Sequence, residues 1–255
     1  MTSTPPIPPA RLSLADVRLG IVCPMANEAD NAVAFVRQVL ERCEAFRSVV
    51  FFCVFDTVCT DGTVELVRAL AAEEPRLRVI WAPENRSVVD AYVRGYREAL
   101  AAGCDWILEI DAGFSHRPDD IPQFFEHMQS GHDCVFGTRF ALGGCMYACS
   151  WKRYLVSRFG GLLSRAVLGC RLSDMTSGFQ LFRRHALERV LAKGIRSRGP
   201  FFQTEIKAYC SRLDVVEVPI RYRSATTRVS GGALLDALRS VGVMFVFRVT
   251  GRLHA

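Results

Sequence analysis

Short apolar segments alternate with amphipathic helical segments in the first half of the chain, and this alternation constrains the fold most strongly. The apolar segments, predicted to be strands, are 19–23, 49–56, 77–82, 106–111 and 134–137. The segments between them, predicted to be helices, are 31–43, 63–72, 87–102 and 121–130. Strands separated by helices of this length form βαβ units. We therefore predict an α/β fold, with a mostly parallel sheet and helices on both faces.

Polar residues follow the predicted strands, where an open α/β sheet binds its ligands. These residues are Pro24, Asn27 and Glu28 after the first strand, Asp56 at the end of the second, Asn85 and Arg86 after the third, and Asp111 at the end of the fourth. A carboxylate in such a position can hold a divalent cation or a ribose hydroxyl. Asn85 and Arg86 fit either a polar loop or a nucleotide contact. Asp61, by contrast, is typical of a turn and helix cap.

The charge of the chain favours an anionic partner. The net charge is +6, and nearly all of the 32 basic residues are arginines, whose planar fork suits phosphate oxygens. Arginines do not cluster with aromatic residues, so we predict no nucleic-acid surface. The ten cysteines include no C-x-x-C pair, which indicates free thiols in the reducing cytoplasm.

The two ends of the chain differ from the part between them. Residues 1–16 begin with a proline-rich stretch and are predicted to be a disordered tail. Residues 17–230 are predicted to be one domain, since they contain neither repeats nor a linker. Residues 231–255 carry an apolar segment between arginines, which fits either a helix packed on the core or a helix in a membrane interface. No apolar run is long enough to span a bilayer.

The order of the motifs resembles that of family 2 glycosyltransferases. These motifs are P-x-x-N-E from Pro24, D-x-x-x-x-D-G-T from Asp56, N-R at Asn85, the acidic strand end before S-H-x-P at Asp111, G-T-R ending at Arg139, and D-x-T-S-G-F from Asp174. Within that family the chain is most similar to the polyprenyl-phosphate sugar synthases, a group that includes dolichyl-phosphate mannose synthases. The resemblance covers residues 19–222 and implies the GT-A fold, a Rossmann-like form of the predicted sheet.

The resemblance also implies a reaction and a site. The reaction is inverting transfer of a sugar from a nucleotide diphosphate to a polyprenyl phosphate by an enzyme peripheral on the cytosolic face of a membrane. Pro24, Asn27, Glu28 and Asp56 would line the nucleotide pocket. Arg139, Arg153 and Ser157 would grip the lipid phosphate, and Asp174 would begin the acceptor-side motif. Gln203 and Glu205 match a further F-Q-x-E segment of the family.

One departure from the family pattern concerns the metal. Asp111 stands at the first acid of the D-x-D motif, which implies Mg²⁺ or Mn²⁺, but Gly113 replaces the second acid. A cation would then depend on Asp111, Ser115, water and the nucleotide's own oxygens. Glu109 points to the same strand face as Asp111 and either compensates or is a buried acid with a partner. An aspartate at position 113 is expected to tighten cation binding.

Two other functions remain open from the sequence. A soluble hydroxyl acceptor would need a general base, for which Asp174 is the candidate. A binding protein without catalytic activity is the third alternative, because of Gly113. His116 is read mainly as a structural loop histidine. The sequence does not indicate which sugar or nucleotide is used, or the oligomeric state.

Overall fold

The computed structural model describes residues 12–224 and 231–253, and these form a mixed α/β structure around one large sheet. The seven strands of this sheet are β1 (Arg18–Pro24), β2 (Ser48–Phe55), β3 (Leu77–Trp81), β4 (Trp106–Glu109), β5 (Cys134–Thr138), β7 (Gln180–Arg183) and β8 (Val215–Pro219). Their order in the sheet is β3-β2-β1-β4-β7-β5-β8. The predicted α/β fold with a mostly parallel sheet is therefore confirmed.

Helices cover both faces of the sheet because alternate strand residues are apolar on both sides. The first four helices are α1 (Ala32–Glu41), α2 (Thr63–Glu73), α3 (Val88–Ala101) and α4 (Ile121–Gln129). Helices α1, α2 and α4 pack on the face that carries Leu19 and Ile21 of β1. Helix α3 packs on the opposite face, against Val22. The parallel strands β3, β2, β1 and β4 thus end at one edge of the sheet, where their loops can meet.

The second half of the chain departs from the repeated strand and helix pattern. Strand β7 lies antiparallel between β4 and β5, and it was not predicted, because four residues with a glutamine and an arginine at the ends give no apolar signal. The apolar pattern of residues 215–222 predicts one further strand, but in the structure this segment divides at Ile220 into β8 and β9 (Arg221–Arg223). Strand β9 leaves the main sheet and pairs in parallel with β6 (Cys145–Tyr147), which forms a second, two-stranded sheet.

Four further helices complete the fold. They are α5 (Trp151–Leu168), α6 (Arg184–Lys193), α7 (Phe202–Cys210) and α8 (Gly231–Val249). Helices α6 and α7 share the α3 face of the sheet and enclose its second hydrophobic core. Helix α5 contacts α8. Arg248 of α8 donates to the carbonyls of Ala166 and Val167, and so caps the C-terminal end of α5.

The ends of the chain differ in part from the predictions. Leu12 exchanges hydrogen bonds with Gln129 of α4, and Leu14–Asp16 form a 3-10 helix, so ordered contacts begin before residue 17. Residues 1–11 of the predicted tail lie outside the described residues. Met244 of helix α8 is buried in the core, so the helix packs on the domain at this point, whereas Val246 and Val249 are exposed. Within the described residues, no helix combines the length and apolarity needed to cross a bilayer.

Candidate active site

The loops after β1 and β2 are tied together at the edge where the parallel strands end. Asn27, in the left-handed region at φ 59°, donates through Nδ2 to the carbonyl of Val58 and accepts from the amide of Thr60 at 3.0 Å. Asp61 accepts from the amide of Ala29 at 2.9 Å, and its hydrogen bond from Thr63 holds the pKa of its carboxyl below the usual value. These contacts fix the shape of the predicted nucleotide pocket, and they give Asp61 the structural role that its sequence context indicated.

Other predicted nucleotide residues border the same loops. Pro24 ends β1 and is half-buried, and Asp56 accepts from the amide of Val58 at 3.0 Å in the turn after β2. Asn85 lies in the loop after β3, and its Nδ2 is buried without a hydrogen-bond partner among the described residues. Arg86 is exposed, and its backbone amide donates to Asp90. Asn85 therefore has a buried hydrogen-bond donor that a ligand could satisfy.

Asp111 follows β4 and is oriented by α3. The hydroxyl of Tyr92 donates a hydrogen bond to Oδ1 of Asp111, while the carboxylate remains 38% exposed. The backbone then turns sharply, because Gly113 and Phe114 both have left-handed φ angles, of 71° and 59°. Asp111 therefore presents a partly exposed, firmly oriented carboxylate at the ligand edge of the sheet. Sequence reasoning missed Tyr92, although its distance of one helical turn from Tyr96 marks a shared helix face.

His116 supports this turn from below. Its Nδ1 accepts a hydrogen bond from the backbone amide of Asp111 at 3.1 Å, and its ring stacks on Phe179 with centroids 4.9 Å apart. Burial lowers the pKa of His116, so the ring is neutral at neutral pH. The nearby Asp111 carboxylate, 3.6 Å from Nδ1, is consequently not an ion-pair partner. These contacts make His116 a positioning residue for the Asp111 turn.

Glu109 is a buried acid with partners. Its carboxylate accepts hydrogen bonds from Tyr96 of α3, from Gln203 of α7 and from Gln180 of β7. Burial raises its pKa to about 8, against the hydrogen bonds that favour the ionised form. Glu109 is fully enclosed, so it cannot take the exposed position left by Gly113. The sequence left two roles open for Glu109, and the structure supports that of a buried acid with partners.

Arg139 and Asp174 form a buried ion pair on the acceptor-side loops. Arg139 donates from Nε to Oδ2 of Asp174 at 2.7 Å and from Nη2 to Oδ1 at 2.8 Å. Burial alone would raise the pKa of Asp174, but the Arg139 guanidinium holds it well below its usual range. Asp174 is fully buried and its carboxylate is committed to Arg139. It orients the arginine rather than offering a free basic oxygen.

Lys207 is a buried cation that sequence reasoning missed. Its Nζ donates to the backbone carbonyls of Asp174 at 2.7 Å and Ser177 at 2.9 Å. Burial lowers its pKa to about 8, partly opposed by the Asp174 carboxylate. Lys207 thus braces the D-x-T-S-G-F loop from inside. Its position two residues beyond the F-Q-x-E segment was the only available signal in the sequence.

The N-terminal half of α5 turns its polar stripe towards these loops. Ser157 lies 3.3 Å from Oγ1 of Thr176, which in turn accepts from Nη2 of Arg139 at 2.6 Å. One turn earlier, Arg153 donates to the hydroxyl of Tyr222, and the Arg139 guanidinium lies 5.2 Å from the centre of the same ring. The three residues predicted to grip an acceptor phosphate are therefore brought together around Thr176 and Tyr222.

The opposite side of α5 is apolar and exposed. Its exposed large side chains are Trp151, Tyr154, Leu155, Val156, Phe159, Leu162 and Leu163. Helix α8, which contacts α5, also carries exposed apolar residues, among them Leu238, Phe245 and Val246. An apolar area of this extent is typical of a surface that binds another apolar phase. We call it the α5/α8 apolar face.

Gln203 and Glu205 have internal roles. Gln203 joins the Glu109 network and accepts from Gln180. Glu205 accepts from the amides of Arg196 and Ser197, from the Ser197 hydroxyl at 2.8 Å and from the Tyr209 hydroxyl at 2.9 Å. The F-Q-x-E segment therefore holds the sheet and the loop before α7 in place. Both side chains are almost completely buried.

The residues predicted to bind the donor and those predicted to bind the acceptor are linked through Tyr222. The His116 ring, which supports Asp111, lies 5.2 Å from the Tyr222 ring, and Tyr222 contacts both Arg139 and Arg153. Among residues 12–224 and 231–253, no group of three or more His, Cys, Asp or Glu side chains is arranged to hold a metal ion. Ser115 is nearly buried, and its carbonyl accepts from the amide of Arg223. A cation at Asp111 would therefore require ligands from a bound nucleotide as well.

The sequence model of glycosyl transferase family 2 matches residues 20–191, two thirds of the chain. The chain belongs to glycosyl transferase family 2. It is similar to the undecaprenyl-phosphate mannosyltransferase of Micrococcus luteus, with 32% identity over 74% of this chain and 79% of that protein. It is also similar to the polyprenol monophosphomannose synthase of Mycolicibacterium smegmatis, with 29% identity over 87% of this chain and 84% of the relative. Membership of this family makes the chain a glycosyltransferase.

Solved structures place the fold among GT-A glycosyltransferases. Glucosyl-3-phosphoglycerate synthase from Mycobacterium tuberculosis in complex with UDP matches with a TM-score of 0.65 and 18% identity, covering 92% of this chain and 81% of that one. The same enzyme in complex with Mn²⁺, UDP-glucose and glycerol 3-phosphate matches with a TM-score of 0.62 and 18% identity, over 94% and 82%. The predicted Rossmann-like GT-A fold is confirmed.

Proposed function

We propose that this glycosyltransferase moves a sugar from a nucleotide diphosphate to a polyprenyl phosphate, with inversion at the anomeric carbon. The observation that carries the proposal is the commitment of Asp174 to Arg139 beside an apolar helix face. A hydroxyl acceptor needs a general base, and Asp174, the candidate base, is buried with both oxygens on the guanidinium. A phosphate acceptor is already ionised at neutral pH and needs no such base.

The chemistry then depends on alignment and charge. A phosphate oxygen of the acceptor attacks C1 of the sugar, and the bond from C1 to the diphosphate breaks with its electron pair leaving on the nucleotide. Arg139 and Arg153 would hold the acceptor, which lowers the repulsion between two anionic groups brought together. Asp174 and Thr176 fix the Arg139 fork in one orientation. The names of the two bacterial relatives support mannose as the first sugar to test.

The donor side fits a divalent cation in part. Asp111 offers a partly exposed carboxylate with one oxygen held by Tyr92. Asp111, with Ser115 nearby, is the residue that would hold Mg²⁺ or Mn²⁺ together with diphosphate oxygens. A cation bound there would neutralise the charge that develops on the leaving diphosphate. The Mn²⁺ and UDP-glucose complex of the structurally similar glucosyl-3-phosphoglycerate synthase supports this proposal.

The α5/α8 apolar face supports a membrane location. Part of this face lies on α5, the helix that carries Arg153 and Ser157, so an acceptor phosphate at these residues would have its lipid chain near exposed apolar side chains. We infer a peripheral enzyme on the cytosolic surface of a membrane. Basic residues on the same helices, such as Lys152 and Arg239, suit anionic lipid headgroups.

The acceptor assignment is tested with conservative arginine variants. Arg139→Lys and Arg153→Lys keep the charge but lose the planar fork, so they should lower turnover with a short-chain, water-soluble polyprenyl phosphate roughly tenfold or more. Nucleotide-sugar affinity should stay within about twofold. Arg165→Lys, on an exposed turn of the same helix, is the matched control. Unchanged acceptor kinetics in both variants would reject the proposed phosphate site.

A further inference from the structure

The carboxylate of Glu28 occupies the place that a side chain at position 113 would take. An ideal Cβ on Gly113 would lie 2.5 Å from both Oε1 and Oε2 of Glu28 and 2.8 Å from its Cδ. The carboxyl carbon of an aspartate lies about 1.5 Å beyond its Cβ. The Glu28 carboxylate therefore fills the volume in which the missing acid of the D-x-D motif would begin.

Glu28 is held in this position by the backbone. Its amide donates to Oγ1 of Thr63 at 2.8 Å, and its carbonyl accepts from Ala32 at 2.7 Å at the start of α1. Burial raises the pKa of its carboxyl, with Asp61 adding to the shift. The side chain of Asn31 forms a hydrogen bond with the Glu28 carboxylate, which opposes this rise in pKa.

Glu28 and Asp111 share one region of the site. Both carboxylates act on the buried thiol of Cys23, whose pKa is raised well above its usual value by burial, by Cys53 and by these two acids. Gly113 follows Asp111 by two residues, and its φ of 71° directs the chain past the Glu28 carboxylate. Two acids from β-strand loops 83 residues apart in the chain thus converge on one turn.

We propose that Glu28 replaces the second acid of the D-x-D motif, so that Asp111 and Glu28 together hold the divalent cation that accompanies the donor diphosphate. This inference rests on the proposed use of a nucleotide-diphosphate donor with Mg²⁺ or Mn²⁺. The nearby Glu28 carboxylate, together with the φ of 71°, favours glycine at position 113. A side chain there would strike the Glu28 carboxylate, and a second acid would bring two negative charges into contact.

The position of Glu28 reverses the expectation that an aspartate at position 113 tightens cation binding. Gly113→Asp alone should not tighten it, because its Cβ would displace the Glu28 carboxylate, so that one acid would take the place of the other. Adding an aspartate at position 113 while removing the acid at position 28 should support cation binding. In Glu28→Ala/Gly113→Asp the space is cleared, and aspartate tolerates the left-handed backbone better than most residues. The double variant should therefore recover the cation affinity that Glu28→Ala loses.

The test is a titration of Mn²⁺, alone and with GDP or UDP, followed by the electron paramagnetic resonance signal of the free ion. Glu28→Gln should weaken Mn²⁺ binding on the order of 10- to 100-fold, the range typical for removing one group of a metal site. Glu65→Gln, an exposed acid at the start of α2, should bind Mn²⁺ as the unaltered protein does. Thermal unfolding checks that each variant is folded.

Two results would overturn the inference. One is Mn²⁺ affinity in Glu28→Gln equal to that of the unaltered protein. The other is that Glu28→Gln loses GDP or UDP binding in the presence of EDTA, while its Mn²⁺ affinity, measured separately without EDTA, is unchanged. Glu28 would then contact the nucleotide alone. Sugar transfer to polyprenyl phosphate is measured separately with the unaltered protein. Transfer that persists while Glu28→Gln binds Mn²⁺ normally would reject the role of Glu28 and leave the proposed function standing.

Discussion

The hydroxyl of Tyr92 donates a hydrogen bond to Oδ1 of Asp111, across the interface between α3 and the end of β4. Four residues later on the same helix, Tyr96 donates to Glu109. The two tyrosines thus fix two acids at the end of β4, a partly exposed one at the proposed donor site and a buried one in the core. Helix α3 therefore orients the Asp111 carboxylate.

Removing the Tyr92 hydroxyl should impair turnover without unfolding the protein. In Tyr92→Phe the ring keeps its packing on Phe202, whereas the Asp111 carboxylate loses the donor that fixes its rotamer. We expect kcat to fall roughly tenfold and the thermal midpoint to stay within about 3 °C. Steady-state kinetics and a thermal scan provide the measurement. Unchanged kcat would show that Asp111 needs no orientation from α3.

Breaking the buried ion pair should cost far more stability than breaking an exposed one. Asp174→Asn leaves the Arg139 charge buried without its partner, which should lower the free energy of unfolding by about 3–5 kcal/mol. Asp119→Asn is the matched control, because Asp119 accepts from Arg42 at 2.9 Å on the surface, and its loss should cost less than about 1 kcal/mol. Urea unfolding compares the two variants. Equal losses would contradict the buried role of Asp174.

The buried Glu109 should make stability depend on pH. Its pKa is about 8 in the folded protein against 4.5 for an ordinary glutamate, so between these values the folded state binds more protons than the unfolded state. The contribution of Glu109 to the free energy of unfolding is therefore complete below pH 4.5. It is lost as the pH rises towards 8, at up to about 1.4 kcal/mol for each pH unit. Urea unfolding from pH 5 to 8 should show a smaller fall in Glu109→Gln. Parallel curves would indicate that Glu109 is ionised throughout.

The α5/α8 apolar face should mediate binding to lipid. Phe159 is 62% exposed on α5, and Phe159→Glu should reduce sedimentation with vesicles of anionic phospholipid while turnover of a short-chain polyprenyl phosphate is retained. Leu66→Glu introduces the same charge at an exposed apolar position on α2 and should bind vesicles as before. Equal binding by both variants would place the membrane contact elsewhere.

The sequence predicts the parallel half of this fold because its signals are local. Apolar strands, amphipathic helices and strand-end acids such as Asp56 and Asp111 follow one another, and parallel strands bring their carboxyl ends to the same edge. Strand β7 gives no such signal, since its pairing with β4 and β5 depends on chain segments far apart in sequence. The division of the last strand at Ile220 depends equally on a distant partner, β6.

The contacts between site residues could not be predicted from the local sequence for the same reason. Arg139 and Asp174 were both predicted as site residues, but their commitment to each other arises only when two loops pack together. Glu28 and Gly113 were likewise noted separately, and only the folded chain shows one filling the space of the other. Lys207 and Tyr92 were missed because each stands within a helix pattern that already explains its presence.

The most direct test of the proposed function compares two acceptors that differ only in the phosphate. The purified protein is supplied with nucleotide-diphosphate mannose and Mn²⁺, and with either a short-chain polyprenyl phosphate or the corresponding polyprenol. With Asp174 held by Arg139, the proposed function requires mannose transfer to the polyprenyl phosphate and none detectable to the polyprenol. Transfer to the alcohol at a comparable rate, or to the alcohol alone, would contradict it.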